Sequence, residues 1–200
     1  QRAENAADDL TGLLSRVSEA LGLMTEQILH FGGVTGDFQG DAALGFWGWP
    51  FATESAPLNA CRAALAIRKA FETASSTPGH TLADFEMGIG IAHGRAVAGK
   101  IGTSEQVKVT VFGPVVNLAS RLETMTTQLR VPIVLDEATA DLVREKLDHL
   151  EARTRRLGKV IPVGMETAVT VSELLPPEHE YPLLKDEHLA QYEAGVDSFI

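Results

Sequence analysis

A mixed fold, α+β or α/β with a mixed sheet, is what this 200-residue sequence predicts, on three observations. Long stretches with apolar residues at three- and four-residue steps alternate with short runs of period two. Gly- and Pro-bearing turns separate them, and several of the period-two runs lie close enough in sequence to pair as hairpins.

The first element is the clearest. Leu10, Leu13, Leu14, Val17, Leu21, Met24 and Ile28 form the apolar face of a helix over residues 9–29, with Asp8 or Asp9 as its cap. Phe31-Gly32-Gly33 stops it. Residues 34–39 and 42–47 then read as two strands around a Gly40-Asp41 turn. A second helix, over about 58–73, turns Cys61, Leu65 and Phe71 inward and ends in the polar run Ser75-Ser76-Thr77-Pro78-Gly79. Phe85, Met87, Ile89 and Ile91 alternate with small or polar residues, which predicts a strand over 85–92 that forms a hairpin with 95–99. Val107, Val109 and Val111 mark a third strand of that group. Gly113-Pro114 opens a helix with Val115, Leu118, Leu122 and Met125 as its stripe. A buried strand at 131–135, a capped helix at 136–147 and strands at 155–160 and 168–173 complete the pattern.

Leu174-Leu175-Pro176-Pro177 reads as a domain edge, dividing residues 1–175 from a linker and helix over 176–200. That helix, from Asp186, places Leu189, Tyr192, Val196 and Phe199 on one face and is expected to lead to a further domain. The ending in Ser198-Phe199-Ile200 fits a piece of a longer protein.

Composition narrows the function. Seventeen Lys and Arg against 27 Asp and Glu give a net charge of −10, which argues against nucleic acid or anionic lipid as the main partner. No apolar run approaches the roughly 18 to 20 residues of a membrane helix, and the N-terminus lacks the pattern of a signal peptide. Cys61, a lone cysteine, reads as a small hydrophobe and suits a reducing compartment. A cytoplasmic location is therefore expected.

Three features invite chemistry. Residues 94–100, from Gly94 to Gly99-Lys100, match a phosphate-binding loop up to the lysine, but Ile101 stands where a hydroxyl would hold magnesium and no helix start follows. Asp41, flanked by small residues at a tight turn, is either a turn former or a magnesium ligand. Asn117 and Arg121, four residues apart, share a helix face beside the apolar stripe; they suit a ribose and a phosphate, or simply a solvated face. The six histidines show no metal-ligand spacing.

Three blocks taken together carry a resemblance: residues 32–48 around Gly40-Asp41, Gly88-Ile89-Gly90-Ile91-Ala92-His93-Gly94 with Gly99-Lys100-Ile101-Gly102, and Val111-Phe112-Gly113-Pro114-Val115-Val116-Asn117-Leu118-Ala119-Ser120-Arg121-Leu122-Glu123. In this order and spacing the sequence resembles the catalytic domain of class III adenylate and guanylate cyclases over roughly residues 9–174. The resemblance implies an α+β fold, a ferredoxin-like mixed or antiparallel sheet flanked by helices. It also implies cyclisation of ATP, or less readily GTP, assisted by two Mg2+ or Mn2+ ions, at sites shared between the subunits of a homodimer. By position, Asp41 matches a metal-binding aspartate, Asn117 the residue that orients the ribose and Arg121 the residue that stabilises the transferring phosphate. Asp37 and Thr110 fall at the purine-reading positions.

The departures are specific. The family's first metal aspartate belongs to an opening strand that precedes the first residue here, so the chain alone is expected to be inactive. Asp37 replaces the lysine that usually reads adenine and, as an acid, suits guanine. Val163-Gly164-Met165 stands where a triphosphate-binding lysine is usual, with Lys159 and Lys100 as candidate replacements. These departures leave a second expectation, a cyclase-homology domain that has lost catalysis and serves as a nucleotide-sensing or dimerising regulatory module.

Overall fold

The computed structural model describes residues 2–103 and 107–198. Helix α1 (Arg2–His30) leads into the hairpin β1 (Val34–Gln39) and β2 (Ala42–Phe46), followed by α2 (Ala56–Ser76). Next come β3 (Ile89–Ile91), the hairpin β4 (Val97–Gly102) and β5 (Val107–Phe112), and α3 (Pro114–Leu129). The chain continues through β6 (Ile133–Asp136), α4 (Glu137–Lys146), β7 (Arg153–Val160), β8 (Val169–Leu175) and α5 (Asp186–Asp197). The fold is mixed α+β, as expected.

The central sheet has the order β3-β6-β8-β7, with β3 parallel to β6 and the other pairs antiparallel. Its β6 is buried on both faces, and its side chains alternate between two helical layers. Ile133 and Leu135 pack with Leu58, Cys61 and Ala64 of α2 and Ala140 and Val143 of α4. Val134 points the other way, to Leu122 of α3 and Val171 of β8. Cys61 is fully buried, and burial pushes its thiol up to about 12, so it serves as packing and not as a nucleophile.

Hairpin β1–β2 rests on α1. Gly33 and Gly45 permit this approach, because a Cβ on either would lie 2.9 Å from Ile28 side-chain atoms, and the one on Gly33 would also meet the Trp47 ring at 2.6 Å. Trp47 Nε1 donates to the Phe31 carbonyl at 3.0 Å, which ties the end of β2 to the end of α1.

One expected pairing is overturned. Residues 85–92 do not form a hairpin with 95–99; only Ile89–Ile91 are a strand, paired with β6, while β4 pairs with β5 from Val97↔Phe112 to Gly102↔Val107. The physical reason lies at both ends of the predicted strand. Phe85 and Met87 are drawn into the cluster between α1 and α2, and the His93 N–H donates to the Asp136 carboxylate at 3.3 Å, which turns the chain away from β3. The same β4–β5 pairing carries residues 97–102 as a continuous strand, so no phosphate loop forms there.

Both α1 and α2 extend beyond the expected bounds: α1 already begins at Arg2, while α2 takes Pro57 into its first turn, where a missing N–H costs nothing, and runs on to Thr77-Pro78. On α5, Leu189 is buried and Val196 half-buried, whereas Phe199 lies outside the described residues. The segment after Pro176 folds back on β7. Arg153, its side chain 2% exposed, donates to the carbonyls of Pro176 and Leu184 and to Asp186 at 3.0, 2.6 and 2.9 Å.

Candidate active site

Helix α3 begins at Pro114, which suits the first turn because it has no N–H to leave unpaired. It lies on β3 at very short range. A Cβ on Gly90 would sit 2.1 Å from the Ala119 carbonyl oxygen and 2.3 Å from the Glu123 nitrogen, so only glycine allows the helix to seat there. This contact fixes the helix that carries Asn117 and Arg121. Leu122, fully buried, faces the core, while Asn117 is exposed and Arg121 half-buried on the flank.

The Arg121 guanidinium is not loose in solvent. Its Nη1 donates to the Val163 carbonyl at 2.7 Å, and the nearest guanidinium nitrogen lies 3.3 Å from where a Cβ on Gly164 would be. Val163 and Gly164 form the tip of the turn between β7 and β8, closed by the Met165 N–H donating to the Pro162 carbonyl at 2.9 Å. The turn expected only to lack a lysine thus supplies a backbone acceptor.

Asp37 and Thr110 are brought to neighbouring strands. Asp37 lies in the irregular stretch of β1 between Thr35 and Phe38 and is exposed; Lys108 Nζ of β5 is 3.0 Å from its Oδ1. Lys108 and Thr110, two residues apart, share a face of β5, so the acid sits on the side that carries the threonine. Sequence reasoning missed Lys108, although the period-two relation to Thr110 was there to be read. Asp41 is exposed at the hairpin tip, where Gly40 takes the left-handed conformation, φ 65°, that the turn needs.

The two groups occupy different parts of the chain. Hairpin β1–β2 packs on α1 and β5, whereas α3 packs on β3, β6 and β5. Lys159, on β7, lines an open cleft of about 510 Å3 with Leu118, Asp136, Asp141 and Thr170; Lys100 lies on β4. No group of three His, Cys, Asp or Glu side chains is arranged to hold a metal ion among the described residues.

This chain belongs to the adenylate and guanylate cyclase catalytic domain family, which matches residues 34–169. Adenylate cyclase 1 of Rhizobium meliloti is 30% identical over 166 residues, 82% of this chain and 24% of that protein. The terminal-differentiation specific adenylate cyclase of Dictyostelium discoideum is 28% identical over 143 residues, 71% of this chain and 7% of that protein. The chain therefore spans a quarter or less of the length of these relatives. Among solved structures, the adenylyl cyclase CyaB from P. aeruginosa superposes with a TM-score of 0.68 at 22% identity, covering 82% of both chains, a likeness of fold. The guanylyl cyclase Cya2 gives 0.65 at 27% identity over 84% of both chains. No helix among the described residues is long and apolar enough to cross a membrane.

Proposed function

We propose that this chain is the catalytic domain of a nucleotidyl cyclase that converts ATP, and less readily GTP, to the 3′,5′-cyclic nucleotide and pyrophosphate in intracellular signalling. The observation that carries this reading is the pair Asn117 and Arg121 on one face of α3, with the guanidinium anchored beside the β7–β8 turn, in a chain of the cyclase family. In the reaction the ribose 3′-oxygen bonds to the α-phosphorus, the bond from that phosphorus to the bridging oxygen of the leaving pyrophosphate breaks, and the hydroxyl proton passes to water. Negative charge grows on the phosphoryl oxygens, and a guanidinium aimed at them stabilises the transition state more than the ground state. Asn117, with an amide that both donates and accepts, orients the ribose. Asp37 and Thr110 read the purine edge.

A pair of Mg2+ or Mn2+ ions is the cofactor this chemistry calls for. Asp41 offers one exposed carboxylate, and the described residues do not by themselves fit a two-ion site. Asp41 is proposed as a single oxygen donor. The partner is a second copy of the chain. Support comes from one face of the β4–β5 hairpin, where Val97 and Ile101 of β4 and Phe112 of β5, opposite Val97 in the ladder, are more than half exposed.

The test is a cyclase assay of the full-length protein with manganese and ATP or, separately, GTP. Cyclic nucleotide from either substrate supports the reading. None from either, with a folded dimer verified by sedimentation, makes the regulatory module the better account.

A further inference from the structure

Arg121 gains its orientation from the β7–β8 turn, and the way the turn does this is specific. Pro162 is buried and Met165 half-buried, so both ends of the turn are held while Val163 and Gly164 form its exposed tip. The Met165 N–H to Pro162 carbonyl bond, at 2.9 Å, closes it. What reaches Arg121 is backbone: the Val163 carbonyl accepts from Nη1 at 2.7 Å, while Val163 as a residue is 89% exposed. Gly164 has φ +75°, a conformation that disfavours any side chain, and the place of its missing Cβ is 3.3 Å from Nη2 and 3.4 Å from Nη1. That is closer than nearly all real contacts of a Cβ. The guanidinium therefore lies against the place of the missing side chain, with one N–H tethered to a carbonyl, and a methyl there would displace it by a few tenths of an ångström. The bond from Nη1 and the contact over Gly164 together orient the fork, and the other donors are left for an anion.

We propose that the Pro162–Met165 turn is a positioning element for Arg121, in which the Val163 carbonyl and the absent side chain of Gly164 hold the guanidinium in the orientation that meets the transferring phosphate. The catalytic part of this inference rests on the cyclase reading above. Gly164 and Val163 are positioning residues, since both act through Arg121.

The test uses Gly164→Ala in the full-length protein, with Gly79→Ala as control. Gly79 has φ +76°, nearly the same backbone strain, but nothing within 4 Å of its Cβ position, so the pair separates contact with Arg121 from strain alone. One readout needs no turnover: the Nη–H resonances of Arg121, assigned by their loss in Arg121→Lys. They are expected to be resolved in the wild type and in Gly79→Ala and to broaden or vanish in Gly164→Ala; resonances unchanged by Gly164→Ala overturn the tether. Kinetics is the second readout. Gly164→Ala is expected to lower kcat by about tenfold with KM within about twofold, and to have no effect when Arg121 is already alanine. A wild type that cyclises a nucleotide while Gly164→Ala matches Gly79→Ala, or a Gly164→Ala effect that persists without Arg121, overturns the positioning role and leaves the cyclase reading standing. A folded wild-type dimer that cyclises neither nucleotide overturns the cyclase reading, and the catalytic role of the turn with it.

Discussion

Glu173 and Arg155 face each other across the β7–β8 ladder, with Arg155 Nη2 donating to Glu173 Oε2 at 2.6 Å, and the carboxylate is among the most buried charges in the protein. Burial raises its pKa above the ordinary 4.5, while the charge and hydrogen bond of Arg155, and more distantly Arg68, oppose the rise. A raised carboxyl binds its proton more readily in the folded state than in the unfolded one. Its contribution to stability is therefore fully present below about pH 4.5 and is lost as pH rises through the folded value. Glu173→Gln keeps an acceptor for Arg155 and removes the titration. Urea midpoints measured from pH 4.5 to 7.5 should show the wild type losing stability relative to Glu173→Gln as pH rises. A difference that stays constant with pH would exclude this account.

Gly90→Ala tests the seat of α3. The added methyl would lie 2.1 and 2.3 Å from backbone atoms of Ala119 and Glu123, which cannot rotate aside as a side chain can, so the helix must move off β3. A loss of about 3 kcal/mol is expected, and activity should fall further than stability at a temperature where the variant is folded. The check is a thermal melt beside an assay at low temperature. A variant as stable as the wild type would mean that α3 rides further from the sheet.

What was legible in the sequence follows from what is local. The stripe Val115, Leu118, Leu122 and Met125 has a period that can only be a helix, and Gly40-Asp41 between two short apolar runs can hardly be anything but a turn. The error at residues 85–92 arose because alternation says that a strand exists and not which strand it joins. Partner choice was decided by the close glycine contacts on α3 and by the distant Asp136, 43 positions beyond His93. The same limit hid the tether of Arg121, since a carbonyl acceptor 42 residues away leaves no mark in residue type. Lys108 was hidden differently: an exposed lysine on a strand looks like any solvated charge until its partner is placed.

Arg121→Ala should lower turnover of the full-length enzyme by about two to three orders of magnitude, the scale set by removing one preorganised donor to a developing oxyanion. Stability should change by no more than about 1 kcal/mol, because the lost bond is to an exposed turn. Unchanged kcat with ATP and with GTP would remove Arg121 from the chemistry.

Lys108→Met addresses the purine. The ion pair with Asp37 at 3.0 Å occupies a carboxylate that would otherwise accept from the two N–H groups on the guanine edge. Both side chains are about half exposed, so the pair contributes no more than about 1 kcal/mol. Freed of the lysine, Asp37 should raise the ratio of GTP to ATP turnover by up to about fivefold. A ratio that is unchanged or falls would mean that Asp37 does not contact the base.

Arg153→Met tests what holds the C-terminal segment. The buried guanidinium bonds the carbonyls of Pro176, Leu184 and, at 3.4 Å, Tyr181, together with the Asp186 carboxylate, so one side chain fastens the connection between β8 and α5. Other ties lie on either side: Arg156 pairs with Asp197, its N–H donates to Glu193 at 2.7 Å, and Lys69 pairs with Glu180 at 2.9 Å. Methionine fills much of the space of the arginine stem but takes the side-chain donor from the carbonyls of Pro176 and Leu184, while the Tyr181 carbonyl keeps the Leu184 N–H at 3.4 Å. The segment should detach before the sheet unfolds, because the outlying ion pairs are largely exposed and individually weak and the Arg156 N–H to Glu193 bond holds α5 at one point only. Limited proteolysis should then cut Arg153→Met first between Pro177 and Asp186, at least tenfold faster than the wild type, while hydrogen exchange in β6 and β8 stays slow. Cleavage at the wild-type rate would show that α5 is held by its own packing on β7, with Leu189 and not Arg153 as its anchor.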